Sequence, residues 1–358
     1  MKKVKKSKEL LSRRDFLWAS AAGAAGLTAA GTTLGTSHAQ EGATSSYDSS
    51  ASGHTSMGGP GHGQVGMFGS ISETTSDGFN PTRFLTHFDY GKVSALPDGR
   101  TLREYHITLI EKEIEIAPGV MFPAWTYNGA VPGPTLRCTE GDLVRIYFKN
   151  DGKSHHPHTI HFHGFHPVNM DGVFEQIPPG ESYTYEFDAE PFGLHLYHCH
   201  TMPLKRHIHK GLYGAFIVDP KKGRPKVDKE LVMVMNGFDT NFDAENEFYA
   251  VNTVGFYYQD HPIPLKVGEL VRVYLVNVLE FDLINSFHTH ATFFKLYRTG
   301  TNLDFYEYTD TVMLCQAERC VLEFSYKYPG MFMFHAHQSE FAELGWMGFF
   351  DVKEETHV

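Results

Sequence analysis

The chain has 358 residues, with 31 Lys and Arg against 42 Asp and Glu, which gives a formal net charge of −11 at pH 7. This acidic balance argues against a nucleic acid as the partner. At about 100–200 residues per domain, the length allows two or three domains.

Residues 1–39 are predicted to be a twin-arginine signal peptide. Lys-rich residues 1–8 precede Ser-Arg-Arg-Asp-Phe-Leu at 12–17, and an apolar Ala/Gly-rich stretch ends in Ser-His-Ala at 37–39. That order is typical of twin-arginine export with an Ala-x-Ala-like cleavage site. The apolar run is shorter than the about 20 residues of a membrane span. We therefore expect no membrane span and export, in a folded state, to the periplasm or the cell exterior.

Residues 40–99 are predicted to be a flexible N-terminal segment, because 40–80 are rich in Gly, Ser and Thr and poor in apolar residues. His54, Met57, His62 and Met67 lie among its glycines and fit either a spacer or a copper-scavenging tail.

Strand signals dominate from residue 101 onward. Short alternating or β-branched runs, such as Arg103–Ile110 and Leu143–Phe148, are separated by Pro/Gly turns such as Val-Pro-Gly-Pro at 131–134. A polar linker that begins at Asp219 separates a first unit at 100–222 from a second at 228–355.

The two units repeat each other. The run Gly-Asp-Leu-Val-Arg-Ile-Tyr at 141–147 returns as Gly-Glu-Leu-Val-Arg-Val-Tyr at 268–274, an offset of 268 − 141 = 127 residues. His-Phe-His at 161–163 and His-Thr-His at 288–290 have the same offset, while His-Cys-His at 198–200 precedes His-Ala-His at 335–337 by 137. A near-constant offset indicates a duplicated domain. Units of about 120 residues with many short strands fit Greek-key β-sandwiches, so we predict an all-β protein of two such domains.

The segment around Cys199 carries the chemistry. Side chains alternate along a strand, so His198 and His200 share one face and Cys199 takes the other. A thiolate with two His and a weak axial contact is the ligand set of a blue copper site. On its own, a lone Cys would more often be a small buried hydrophobe.

Three further His-x-His pairs favour metal binding. Each pair places two imidazoles on one strand face, where polar rings without partners would be costly in a core. The three pairs are His161 and His163, His288 and His290, and His335 and His337. Together with His198 and His200 they make eight His, a number that suits three coppers.

These motifs resemble the multicopper oxidases, specifically those with two cupredoxin domains. The resemblance spans nearly all of residues 100–355 and implies four coppers per chain, one of type 1, one of type 2 and two of type 3. It implies that His161 and His288 bind type 2 copper. The other six His would bind the type 3 pair: His163, His198, His200, His290, His335 and His337.

The same resemblance implies the type 1 ligands. The family places one His five residues before the second His of its HxHG motif, which is His158 here. The other follows Cys199, where His207 and His209 both stand. The family's axial residue lies five positions after that His, which gives Leu212 for His207, and we choose His207. Since Leu212 cannot coordinate, the site should be trigonal, with a higher reduction potential than an axial Met gives.

The second domain departs from the type 1 pattern. Asn285 stands where the type 1 His would be, and Ala336 replaces the Cys. The runs at 206–215 and 340–348 also resemble the copper nitrite reductases. The catalytic Asp of that family, however, aligns with His161, so a ligand replaces the acid. That likeness implies shared architecture rather than shared chemistry.

The leading functional hypothesis is an oxidase that takes single electrons from a phenol-like molecule, a metal ion or a small acidic redox protein and reduces O2 to water. The alternatives are a nitrite reductase-like enzyme and a non-catalytic periplasmic copper or electron-transfer protein. Asp171 matches the position where the family keeps a carboxylate near the type 2 site. It fits equally well as a turn residue before Gly172.

The resemblance also implies a homotrimer. Each domain supplies four cluster His, and the short linker makes it hard for one chain to bring its own two sets together. The His of one chain would then meet those of the next.

Cys315 and Cys320 have the spacing of a hairpin and could form a disulfide, or could stay reduced. Cys138 is predicted to be structural.

Overall fold

The computed structural model describes residues 70–354 and contains two halves of nine and eleven strands. The first half has β1 Lys92–Ala95, β2 Thr101–Ala117, β3 Val120–Tyr127, β4 Leu136–Thr139, β5 Leu143–Asn150, β6 His161–Phe162, β7 Ser182–Asp188, β8 Gly193–His198 and β9 Tyr213–Asp219. The second half has β10 Lys229–Phe238, β11 Phe248–Val251, β12 Ile263–Lys266, β13 Val271–Asn277, β14 Ile284–Thr289, β15 Phe294–Arg298, β16 Glu307–Thr309, β17 Thr311–Cys315, β18 Arg319–Phe324, β19 Gly330–His335 and β20 Met347–Lys353.

Helices are short in the described part of the chain. They are α1 Pro81–Phe84, α2 Leu204–His209, α3 Tyr257–Asp260 and α4 Ser339–Glu343, with a 3-10 turn at Val168–Met170. No helix within residues 70–354 has the length and apolar character needed to cross a membrane.

Each half is a pair of sheets with the same pairing pattern. In the first half one sheet has the order β1-β2-β5-β7, with β3 on β2, and the other has the order β4-β9-β8-β6. The second half has β11-β10-β13-β18-β15-β16 and β12-β20-β19-β14-β17. The parallel pair β2/β5 corresponds to β10/β13, and β4/β9 corresponds to β12/β20. The predicted all-β fold with two cupredoxin-like sandwiches is therefore confirmed.

The strands differ in burial according to their place. In β5 buried and partly exposed residues alternate, as expected of a sheet with one wet face. Every residue of β8 and β13 is buried. A shared apolar layer lies between the halves and includes Leu196 and Ile217 from the first and Val234 and Val276 from the second.

Polar contacts fasten this junction. Arg137, on β4, forms ion pairs with Asp219 at 2.7 Å and with Glu230 of β10 at 2.7 Å. Arg272 of β13 reaches the same Glu230 at 3.1 Å. Because these side chains are largely withdrawn from water, each charge depends on its partners.

The segment 70–99 differs from the predicted flexible one. Phe84 and Leu85 are buried, and the N–H of Val232 donates to the carbonyl of Leu85 at 2.8 Å. The hydroxyl of Tyr258 donates to the carbonyl of Pro81 at 3.0 Å. The few apolar residues of this segment are enough to attach it to the second half. Residues 1–69, which include the predicted signal peptide and the His and Met residues of the predicted flexible segment, lie outside the described part.

The cysteines are unpaired. Cys315 is exposed at the end of β17, whereas Cys320 is buried in β18. These two strands belong to different sheets, so the predicted hairpin does not form and the thiols stay free. Cys138 is buried and free, within the core of the first half.

Candidate metal centres

A compact set of three donors lies in the first half. The Sγ of Cys199 is 3.2 Å from Nδ1 of His207 and 3.8 Å from Nδ1 of His158. All three residues are buried, with at most 2% of their surface exposed. These are the three predicted type 1 ligands, and the fold brings them together from the end of β8, from a loop and from the helix α2.

Local backbone contacts hold the set in place. Cys199 follows β8 directly, and its N–H donates to the carbonyl of Leu212 at 3.0 Å. The N–H of Thr159 donates to the Sγ of Cys199 at 3.4 Å. His207 is carried by α2, whose last turn lies between Cys199 and Leu212 in the chain. The end of β8, the loop that contains His158 and the helix α2 thus place their donor atoms close together.

The chemistry of these donors fits copper. Burial raises the pKa of the Cys199 thiol, and it lowers the pKa of His158 to about 3 and that of His207 to about 4. Without a metal all three groups are therefore neutral near pH 7, and both imidazoles keep a lone pair. A soft thiolate with two imidazoles suits a copper ion, whose charge would also stabilise the thiolate.

The structure separates the two His candidates after Cys199. His207 faces Cys199, whereas Nε2 of His209 accepts the N–H of Asp239 at 3.0 Å. The His209 ring lies against Phe281, with 4.9 Å between ring centroids. Leu212 is completely buried in the same core as Cys199 and offers no donor atom.

A second set, of four His, lies on the other face of the strand that leads to Cys199. His161 is paired with His198 in the β6/β8 register, and Nε2 of His163 is 3.3 Å from Nε2 of His198. The ring of His200 is 5.4 Å from that of His161. Nδ1 of His198 donates to the carbonyl of Cys199 at 2.9 Å, which leaves its Nε2 as an acceptor pointing into the site.

The second half repeats this set atom for atom. His288 is paired with His335, and Nε2 of His290 is 3.1 Å from Nε2 of His335. His337 contacts His288, with 5.3 Å between ring centroids. Nδ1 of His335 donates to the carbonyl of Ala336 at 2.6 Å. Both sets present converging imidazole nitrogens, the arrangement that copper ions accept.

The two sets are separate in a single chain. The first lines a cavity of about 310 Å³ together with Val278 and Ala317, and the second lines an open cavity of about 690 Å³ with Met331 and Phe349. Across residues 70–354 ring contacts link the His within each set and none links one set to the other. Each set thus contains four of the eight His of the predicted cluster.

Each predicted type 2 ligand has a carbonyl and a carboxylate behind it. Nδ1 of His161 donates to the carbonyl of Asp171 at 2.8 Å, with the Asp171 carboxylate at 3.1 Å. Nδ1 of His288 donates to the carbonyl of Asp310 at 2.9 Å, with that carboxylate at 4.0 Å. Such contacts fix the ring so that Nε2 faces the metal. Asp171 directly follows the 3-10 turn Val168–Met170 and lies beside His161, a predicted type 2 ligand.

Two residues of these sites escaped sequence reasoning. Asp310 lies 22 residues from its His288 partner, whereas Asp171 lies ten residues from His161. Because the two spacings differ, the repeat in the sequence does not lead from Asp171 to Asp310. Trp125 packs on both predicted type 1 His, with 5.0 Å between its ring centroid and that of His158 and 4.8 Å to that of His207. Trp125 lies on β3, far from both His in the sequence, and contacts them only in the folded protein.

Comparisons with known proteins find multicopper oxidases and copper nitrite reductases. Two family models, both described as multicopper oxidase, match residues 109–223 and 225–356. A crystal structure of a multicopper oxidase is 56% identical, covering 80% of this chain and 100% of that chain with a TM-score of 0.77. A copper nitrite reductase structure from Nitrosomonas europaea is 28% identical, covering 70% and 94% with a TM-score of 0.66.

Among curated relatives, a copper-containing nitrite reductase of Neisseria meningitidis serogroup A is 33% identical over 246 residues. The match covers 64% of this chain and 63% of the relative, so the chain spans less than two thirds of that relative's length. The fold and the donor sets define a copper protein built from cupredoxin-like domains. The chain belongs to the multicopper oxidase family.

Proposed function

We propose that the protein is an oxidase that takes single electrons from a reducing substrate and reduces dioxygen to water. The observation that carries the proposal is the pair of matching four-His sets, one of them joined directly to Cys199. When bound, the type 1 copper would accept one electron at a time and the three-copper cluster would reduce dioxygen.

The residues of the chain supply the connection between these two sites. His198 and His200 are bonded through the backbone to Cys199, so a single tripeptide spans the distance. The hydrogen bond from Nδ1 of His198 to the Cys199 carbonyl, at 2.9 Å, adds a shorter route to one imidazole. Burial of Cys199 and His158 keeps water from the thiolate.

We also propose that the complete cluster forms between chains of a homotrimer. His161, His163, His198 and His200 of one chain would meet His288, His290, His335 and His337 of the next. The second set is surrounded by exposed apolar side chains, such as Phe293 and Met331, which are 49% and 54% exposed. Exposed apolar patches are typical of interaction surfaces. A head-to-tail contact of this kind closes into a ring if its rotation is three-fold.

Nitrite reduction is the second candidate, supported by the similarity to copper nitrite reductases. It is disfavoured by His161, a donor of the first set at the position of the catalytic Asp in that family. A non-catalytic copper carrier is the third. The twin-arginine pattern of residues 1–39 supports export to the periplasm or cell exterior.

The test combines a copper count with two assays on the purified protein. The oxidase should hold four coppers per chain and consume dioxygen with a phenol, ferrous ion or cuprous ion as donor. Nitrite consumption without dioxygen uptake would establish the second candidate. One copper per chain with neither activity would establish a carrier.

A further inference from the structure

A cavity of about 510 Å³ lies beside α2, apart from the three donor sets. Its lining includes Lys205, Arg206 and Lys210, and two aromatic walls, Phe242 and Phe281. This volume is within the range of small-molecule sites, about 300–1,000 Å³. None of the residues that connect Cys199 to the His sets lines this cavity.

The cavity contains more positive charge than its own residues neutralise. Lys210 is only 8% exposed. Among the described residues no carboxylate oxygen lies within 4.0 Å of Lys205, Arg206 or Lys210. The one carboxylate in the lining, Asp239, is occupied by backbone N–H donors, among them that of Ala244 at 2.8 Å.

The cationic groups rest on aromatic rings instead. Nζ of Lys210 lies 5.0 Å from the ring centroid of Phe122 and 5.2 Å from that of Phe242. Nζ of Lys205 lies 4.9 Å from that of Phe281. Ring faces attract a cation but compensate only part of the lost hydration. Burial, the largest cause, and the charge of Arg206 lower the pKa of Lys210 to about 8, and the more distant carboxylate of Glu111 offsets only part of this shift.

Both aromatic walls are held by unusual backbone. Phe242 and Phe281 have φ angles of 64° and 73°, in the left-handed region, and Ala244 beside them has 73°. Bulky residues rarely adopt this conformation, and it is found preferentially at ligand sites. The rings are therefore placed at a cost in backbone energy, although neither is needed to fill the core.

The cavity communicates with the type 1 site through Trp125. The guanidinium of Arg206 lies 5.1 Å from the ring centroid of Trp125, which in turn lies 4.8 Å from that of His207. Lys205 and Arg206 belong to the same short helix as His207. A molecule in the cavity would thus be one aromatic ring away from a type 1 ligand.

We propose that this cavity binds the electron donor and that the donor is a small anionic aromatic molecule, such as a phenolic carboxylate. The inference rests on the proposed oxidase function and narrows its substrate class. The carboxylate would pair with Lys210 and Arg206, and the ring would stack between Phe242 and Phe281. The donor is oxidised by one electron, the copper of the enzyme is reduced by one electron, and the phenolic proton goes to water.

The first test measures binding without turnover. Isothermal titration calorimetry on the copper-loaded protein at low salt should show that benzoate binds and that uncharged benzyl alcohol does not. Lys210→Met should weaken benzoate binding about tenfold, the equivalent of one desolvated ionic contact. Lys149→Met, an exposed lysine on β5 that does not line the cavity, should bind benzoate like the parent. Equal binding of the two probes, or unchanged benzoate binding in Lys210→Met, would overturn the proposal.

The second test uses two donors with the same phenol, syringate and its uncharged analogue 2,6-dimethoxyphenol. The ratio of their kcat/KM values should fall about tenfold in Lys210→Met and stay constant in Lys149→Met. An unchanged ratio, or a response to an acidic redox protein but not to syringate, would reject the small-anion assignment. Absence of dioxygen uptake with both donors, together with Lys210-dependent benzoate binding, would reject the oxidase and retain the anion site.

Discussion

The backbone around Cys199 and the backbone around Ala336 make the same hydrogen bonds, which we call the frame, although the central residues differ. The N–H of Cys199 donates to the carbonyl of Leu212, and the N–H of Ala336 donates to that of Trp346, at 3.0 and 3.2 Å. The N–H groups of His200 and His337 donate to the hydroxyls of Thr159 and Ser286, at 3.0 and 2.7 Å. The backbone that presents the cluster His is therefore independent of the residue between them.

The centres, by contrast, have different chemistry. Where the first half has the Cys199 thiol and His158, the second has Ala336 and Asn285. Nε1 of Trp346 donates to Oδ1 of the completely buried Asn285 at 3.1 Å. This neutral hydrogen bond satisfies both groups and leaves no donor for a soft metal. A set of four His can therefore be presented by the frame alone, whereas a type 1 site needs a specific set of side chains within it.

The largest expected effect comes from removing the thiolate. Cys199→Ser should abolish the intense visible absorbance and all dioxygen uptake while most cluster copper stays bound, because Ser keeps the frame but lacks the soft ligand. Absorption spectra, copper analysis and oxygen consumption measure the three quantities. Full activity in this variant would contradict the assignment of the type 1 site.

Next in size is the proposed contact between the two His sets. Met331→Asp places a charge beside the second set and should dissociate the trimer, with loss of cluster copper and retention of the blue type 1 copper. Light scattering and copper analysis across a dilution series provide the measurement. Val93→Asp, on the exposed edge strand β1, is the control and should remain trimeric. A monomeric Met331→Asp protein with four coppers would refute a shared cluster.

A smaller effect is expected from the two carboxylates behind the predicted type 2 ligands, and its size should differ between them. The carboxylate of Asp171 is 3.1 Å from Nδ1 of His161, whereas that of Asp310 is 4.0 Å from Nδ1 of His288. We expect Asp171→Asn to reduce type 2 copper affinity about tenfold and Asp310→Asn to reduce it less. Competition with a copper chelator, followed by electron paramagnetic resonance, measures both. The reverse order would show that distance to Nδ1 does not determine the effect.

The smallest expected change concerns the axial position. Leu212→Met should lower the type 1 reduction potential, because a thioether adds a weak ligand that favours the oxidised metal. A redox titration of the blue band detects the shift. If the potential is constant here but changes in a substitution at Gly214, His209 rather than His207 would be the ligand.

Much of the site could be predicted because it depends on local geometry. The period of two along a strand is enough to place His198 and His200 opposite Cys199, and the repeat offset locates the second set. The position of His158 followed from the family pattern, and the structure places it against Cys199. The strand alternation and the repeat spacing do not depend on how distant parts of the chain pack.

The remainder depends on contacts between distant parts of the chain. Trp125 reaches His207 only when β3 packs beside α2, and Asp310 reaches His288 only through the β14/β17 pairing. The attachment of 70–99 could not be inferred from a polar composition, since a few anchors such as Phe84 and Leu85 are sufficient. The separation of Cys315 from Cys320 depends on which sheet each strand joins.

The apolar layer between the halves has a consequence for folding. Leu196 and Ile217 of the first half and Val234 and Val276 of the second are all completely buried or nearly so, at 0–1% exposure. Either half alone would present this layer, and the broken ion pairs of Arg137, to water. The two repeats therefore depend on each other to keep this layer buried, and we expect them to unfold in one transition rather than as two independent modules.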